Sequence, residues 1–146
     1  MQSYRREIEV GLVCDKRFVL LFDHENRMEE KLANYVQTKI NSQWPFMFVI
    51  INVSDLELEA ICQPDCSNFK VKVTYEIMIE NAEDIHYIMS DKFEEELKYY
   101  TTKFFQQKVS EIMNYYNLFE YFMKAITNIQ NFWKLCQQGF KTEEDK

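Results

Sequence analysis

The chain has 146 residues, of which 17 are basic and 24 acidic, and its formal net charge at pH 7 is -7. An acidic protein repels phosphate groups, so the charge balance argues against a nucleic-acid partner. A hydrophobic content of 47 % and an aromatic content of 16 % are typical of a folded protein with a substantial core. We therefore expect a single domain over residues 1–146.

The apolar segments and the cysteines bear on the compartment. The longest apolar run, 46–51, is too short to cross a bilayer, which takes about 20 residues, so no membrane span is predicted. No apolar segment of the signal-peptide type follows the charged residues near the N-terminus. Free thiols are typical of reducing compartments. We therefore expect a cytoplasmic or nuclear protein.

The N-terminal part predicts two strands and a helix. Apolar and polar side chains alternate over 7–14, which predicts a strand with one wet face, and an apolar run predicts a second strand over 17–22. Asn26 with Glu29 resembles a capping box, which predicts the start of a helix that ends near 41–42.

Three further strands are predicted in the middle of the chain. The segment 46–53 is apolar on both faces, which is typical of a central strand. A turn at 54–55 is expected to separate it from a one-sided strand over 56–60. The segment 69–79 alternates most strictly, and its odd-numbered residues are expected to face the core.

The predicted element order is strand, strand, helix and three strands, followed by a long helical region. We expect an α+β fold, in which a single antiparallel sheet of about five strands is packed by the helix of the N-terminal half and by the C-terminal helical region. The other face of the sheet is expected to be partly wet, through Glu7, Glu9, Glu57, Glu59, Lys70 and Lys72. This order is similar in layout to longin-like and roadblock-like domains, a likeness that implies a role in protein assemblies.

The stretch 91–138 lacks Gly and Pro, and Ser90 before it is a favourable helix N-cap. Its apolar residues recur in alternating steps of four and three, which places them on one helix face. One helix over this stretch is about 70 Å long, so we expect either a helical pair with a break at 114–117 or one long bent helix. Residues 142–146 are expected to form a frayed tail. The stripe consists of Phe105, Val109, Ile112, Tyr116, Phe119, Met123 and Ile126.

No pattern in the sequence predicts a catalytic, cofactor-binding or metal-binding site. His24 and His86 are isolated, and Cys62 with Cys66 lacks the third and fourth ligands of a structural zinc site. Neither a nucleophile elbow nor a glycine-rich phosphate loop occurs. We therefore expect a non-catalytic protein that uses no cofactor.

The aromatic residues of the C-terminal region extend beyond one stripe, which indicates a second surface to be covered. We hypothesise a protein–protein interaction subunit of a larger intracellular assembly, in which Tyr115, Phe122 and Trp133 contact the partner. A homodimer is the simplest version. One alternative is a small-molecule or lipid carrier with an aromatic-lined pocket between sheet and helix. Another is an enzyme with an unrecognised acid–base pair.

Overall fold

The structure, a computed structural model, describes residues 2–14, 27–62 and 67–144, and for 140–144 it describes the backbone alone. The fold is α+β, as predicted. The chain divides into two compact units, Met1–Val109 and Ser110–Lys146. The elements in chain order are β1 (Gln2–Val13), α1 (Met28–Gln43), β2 (Val49–Ile61), β3 (Asn68–Ile79), a 3-10 turn (Ala82–Asp84), α2 (Ile85–Ile88) and α3 (Asp91–Glu144).

The first unit contains one antiparallel sheet with the strand order β1-β3-β2. The central strand, β3, pairs with both neighbours. Among the described residues the sheet has three strands, so the prediction of about five is not confirmed. The predicted strand 17–22 and the predicted cap Asn26 lie outside the described residues.

The two predicted strands 46–53 and 56–60 belong to a single strand, β2. Val53 is level with Tyr75 and Asp55 is level with Thr74, so Ser54 is an extra residue in the ladder with β3. This is a β-bulge, and the predicted turn at 54–55 is wrong. A bulge shifts the side-chain alternation by one position, so the residues of β2 level with the buried, odd-numbered residues of β3 are odd-numbered before it and even-numbered after it.

The buried face of the sheet follows from the register. The odd-numbered residues of β3 from Phe69 to Ile79 are all buried, which confirms the prediction for this strand. Ile8 of β1 and Leu56 of β2 are both level with Val73, so the apolar residues of the three strands share one face. The opposite face carries the charged side chains that the sequence placed there.

Two helices provide buried residues to the same core. In α1 these are Met28, Leu32, Ala33, Val36 and Ile40. In the first part of α3 they are Phe93, Leu97, Thr101, Phe104 and Phe105. The Tyr75 hydroxyl of β3 lies 2.7 Å from Thr101 Oγ1, which shows that α3 packs directly on the central strand.

The outer edge of β2 is bound by a side chain of α1. The side-chain amide of Gln37 donates from Nε2 to the carbonyl of Val49 (2.8 Å) and accepts at Oε1 from the N–H of Ile51 (2.7 Å). These two contacts reproduce the hydrogen bonds of a neighbouring strand. They satisfy part of an edge that would otherwise be open to pairing with another chain.

The helix α3 begins at its predicted cap, because the N–H of Phe93 donates to Ser90 Oγ (3.2 Å). It continues without interruption through 114–117, where the sequence suggested a break, and its backbone is helical to Glu144. Residues 110–139 of this helix, which belong to the second unit, are named the C-terminal segment below.

Candidate protein-interaction site

The C-terminal segment is apolar and exposed. Its one buried side chain is Ile112, and four others are half-buried. In water, an apolar helix gains stability from the surface that covers it. The large exposed apolar side chains of this segment are Tyr115, Leu118, Phe119, Tyr121, Phe122, Met123, Ile126, Ile129, Phe132, Trp133 and Leu135.

The three residues that the sequence selected as interface anchors lie in this exposed set. Tyr115 is 74 % exposed, Phe122 is 58 % exposed and Trp133 is 63 % exposed. Phe122 is seven residues after Tyr115 and Trp133 is eleven residues after Phe122. At 3.6 residues per turn these spacings are close to whole turns, so the three side chains lie on one face of the helix.

Asparagines concentrate on the side of the same segment away from Tyr115, Phe122 and Trp133. The segment contains four charged residues, of which the acidic Glu111 and Glu120 precede the basic Lys124 and Lys134 along the chain. Four asparagines, at 114, 117, 128 and 131, occupy positions between the apolar residues of the stripe. The segment is therefore amphipathic, with a broad apolar side that carries aromatic rings.

The predicted interface residues do not include Leu118, Phe132 or Leu135, all of which are exposed. The spacing of Leu118 contains a signal, because it is three residues after Tyr115 and four before Phe122, steps that return to the same face. Phe132 and Leu135 are ten and thirteen residues after Phe122 and lie off that face. Such spacing identifies a face of the helix. It does not identify the surface that packs against this face, because that depends on tertiary contacts.

A second exposed region lies in the first unit, in the connection between α1 and β2. Glu96 of α3 accepts hydrogen bonds there from Gln43 Nε2 (2.9 Å), from Trp44 Nε1 (3.3 Å) and from the Tyr87 hydroxyl. Burial, and then the hydrogen bond to Glu96, raise the pKa of Tyr87 above its usual range. These hydrogen bonds link the C-terminal end of α1 to α2 and α3.

An open cavity of about 540 Å³ lies beside these contacts, and Trp44, Phe46 and Tyr87 are among the residues that line it. Phe46 is fully exposed. Asp84 Oδ2 is buried at the cavity and makes no hydrogen bond within the described residues. The cavity therefore combines aromatic walls with one carboxylate.

The outer face of the sheet is charged. Lys70 lies 3.3 Å from Glu9 and Lys72 lies 3.9 Å from Glu59, and both pairs join neighbouring strands. These pairs are solvent-exposed, and exposed pairs contribute about 0–1 kcal/mol. An open depression of about 470 Å³ on this face is lined by acidic residues, by Lys72 and by Thr74.

The histidines and cysteines do not assemble a site among the described residues. His86 is exposed, His24 lies outside the described residues, and no group of metal-ligating side chains occurs within them. Neither Cys14 nor Cys136 is in a disulfide, whereas Cys62 is disulfide-bonded. The expectation of free thiols therefore does not hold for Cys62. Disulfides persist in oxidising compartments, so the cytoplasmic or nuclear location stays a prediction without support from this residue.

Comparison of this chain with protein-family models, with curated proteins and with solved structures finds no match. Within the described residues, none of the helices combines the length and the apolar character needed to cross a membrane.

Proposed function

We propose that this protein is a non-catalytic interaction subunit whose C-terminal segment packs against a helix of another protein chain. The observation that carries the proposal is the exposed apolar surface of 110–139. Soluble proteins rarely leave large contiguous apolar patches open to water, and such patches mark interaction surfaces.

The residue types of the patch support a protein partner. Tyr and Trp dominate the energetics of protein interfaces, since they bury a large area with few rotatable bonds. Tyr115 and Trp133 combine an apolar body with a polar group that stays able to hydrogen-bond at the rim of an interface. The asparagines on the far side of the segment keep that side compatible with water.

The carrier hypothesis receives less support from the same structure. It requires an aromatic-lined pocket between the sheet and the helix. The side chains of Phe69, Tyr75, Phe93 and Phe105 are fully buried in that region, so large rings fill the space that a ligand would occupy.

Alanine substitutions distinguish an interface from a folding core. We expect Tyr115→Ala, Phe122→Ala or Trp133→Ala to weaken association by about 2 kcal/mol at one position at least, which is roughly a thirtyfold change in Kd. Sedimentation equilibrium measures the association. Asn117→Ala and Asn128→Ala, on the polar side of the same helix, are matched controls and should leave Kd within about twofold.

The same variants are then unfolded in urea at a dilution at which they are monomeric. An interface residue changes the free energy of unfolding of the monomer little. A core residue lowers it by about 3–5 kcal/mol for Phe or Trp. Large losses of that kind at all three positions, with association unchanged, would contradict the proposal.

A further inference from the structure

We propose that the open cavity beside Trp44 and Tyr87 binds an organic cation, the ammonium or guanidinium group of a lysine or arginine side chain. The site belongs to the first unit and is independent of the proposed function of the C-terminal segment. Three observations support it: the aromatic walls of the cavity, the carboxylate of Asp84, and a cation that the Trp44 ring already holds.

A short turn supplies part of the aromatic wall. The N–H of Met47 donates to the carbonyl of Trp44 (3.1 Å), which closes a β-turn with Pro45 and Phe46 at its centre. Proline favours the first central position of such a turn, because its fixed φ is the one that the position needs. Phe46 is fully exposed, so its ring stabilises no core of the single chain. The turn therefore presents Trp44 and Phe46 to the cavity.

The other rings at the cavity are held in place. Tyr87 lies against Trp44 with 4.7 Å between the ring centroids, and against Phe93 with 5.2 Å. Phe93 is fully buried. The Tyr87 hydroxyl and Trp44 Nε1 both donate to Glu96. Side chains that are fixed before a ligand arrives lose little freedom when it binds, so Trp44 and Tyr87 are preorganised.

The charge at the cavity is negative. Among the described residues that line it, Asp84 is the one charged residue. Its Oδ2 is buried without a hydrogen-bond partner within those residues, and its side chain does not cap α2. Because water does not reach this oxygen, its charge is screened less than that of an exposed carboxylate. The cavity therefore favours a cation and repels an anion.

The Trp44 ring already interacts with a cation. Lys92 Nζ lies 5.3 Å from its centroid, within the distance of about 6 Å at which an ammonium group is attracted to the face of an aromatic ring. Lys92 does not line the cavity, and it is exposed, so water screens its charge. The carboxylate of Asp84, which does line the cavity, therefore outweighs it for a ligand bound there.

The shape of the cavity fits a charged group on an apolar stem. Its volume of about 540 Å³ is within the range of small-ligand sites, which is about 300–1,000 Å³. Pro45, Phe46 and Met47 provide apolar surface along one part of the lining. Lysine and arginine pack their methylene groups on such surface while the charged end meets polar groups. The rings and Asp84 provide the place for that charged end.

A titration followed by NMR tests the site in the full chain. The probes are N-acetyl-lysine amide and N-acetyl-arginine amide, and N-acetyl-norleucine amide is the uncharged control with the same four-carbon stem as lysine. The readout is the indole N–H resonance of Trp44, which Trp133→Phe assigns because the chain has two tryptophans. We expect a saturable shift with both cations, and a Kd about fivefold or more weaker for the norleucine derivative.

Two pairs of variants separate the carboxylate and the ring from general surface effects. We expect Asp84→Asn to raise the Kd of the lysine derivative about fivefold or more, and Glu83→Gln, the same change at an adjacent exposed residue outside the lining, to leave it within about twofold. Phe46→Leu keeps an apolar side chain but removes the ring, so the Kd should rise about twofold to fivefold. Phe48→Leu, outside the lining, is its control.

Three outcomes overturn the proposal. The first is no saturable shift with either cation. The second is binding of the norleucine derivative as tight as that of the lysine derivative, which would indicate an apolar site. The third is an equal loss of affinity in Asp84→Asn and Glu83→Gln, which would indicate attraction by the surface charge as a whole. If Asp84→Asn changes the fold, Phe46→Leu still decides, because a fully exposed side chain can be replaced without loss of stability. An unchanged Kd in that variant then overturns the proposal.

Discussion

The hydroxyl of Tyr75 is enclosed in the core, where both Tyr75 and Thr101 are fully buried. Thr101 donates its own hydroxyl hydrogen to the carbonyl of Leu97 (2.5 Å), so in the 2.7 Å contact between the two hydroxyls Tyr75 is the donor. A phenolate could not donate this hydrogen bond. Burial likewise raises the pKa of Tyr75 above its usual range.

This residue predicts a dependence of stability on alkaline pH. The pKa in the folded state is higher than the value of about 10 in the unfolded chain, so the contribution of Tyr75 is complete below pH 10 and falls as the pH rises above it. We expect Tyr75→Phe to be about 1 kcal/mol less stable than the parent at pH 7. By pH 11.5 the free energy of unfolding of the parent should fall by about 2 kcal/mol relative to that of the variant. The variant is then the more stable of the two.

Urea unfolding of both proteins at several pH values measures this difference, in which the titration of all other groups largely cancels. If the free energies of unfolding of parent and variant differ by the same amount from pH 7 to pH 11.5, the hydroxyl of Tyr75 is not enclosed as described.

The burial of Tyr75 was predictable from the sequence, but its partner was not. Strict alternation in 69–79 places every odd-numbered residue on one face. Thr101 is a polar residue within an apolar helical pattern, and only the packing of α3 on β3 brings it to the hydroxyl. Long-range pairs of this kind leave no trace in local periodicity.

The strand β3 is the centre of the first unit. It pairs along its whole length with β1 and β2, and its two faces have opposite character. Val73 is 1 % exposed. Thr74 is half-buried on the other face, level with Glu7 and Asp55.

The same substitution at these two adjacent positions tests the register. Val73→Lys buries an ammonium group without a partner, so we expect a loss of several kcal/mol in the free energy of unfolding. Thr74→Lys places the ammonium group beside two carboxylates, so we expect a change of about 0.5 kcal/mol or less. Equal losses in urea unfolding would mean that the two faces are assigned wrongly.

The course of β2 shows where local pattern is ambiguous. A change from odd to even apolar positions at Ser54 is compatible both with a turn between two strands and with a bulge inside one strand. Ser and Asp are frequent in turns, which favoured the turn. In the structure β2 continues as one strand with a bulge, because it pairs with the long strand β3, whose alternation continues unbroken opposite the bulge.

The two units differ in how their apolar residues are covered. The first unit buries a core of large side chains between a sheet and helices of its own chain. In the helix of the second unit the described aromatic side chains are exposed, apart from the half-buried Tyr116. The sequence predicted both the aromatic stripe and its excess width. It left open whether the helix breaks and folds back on itself, since Asn inside a helix costs only a few tenths of a kcal/mol.

Amide hydrogen exchange of the parent protein at several concentrations tests whether pairing with a second copy, the simplest partner, covers 110–139. An apolar helix without a partner opens readily, so its amides exchange fast, whereas pairing slows them. We expect the protection of 110–139 to rise with protein concentration and the protection of 69–79, in β3, to stay constant. Exchange in 110–139 that is equally fast at every concentration, or equally slow down to dilutions at which the protein sediments as a monomer, would contradict it.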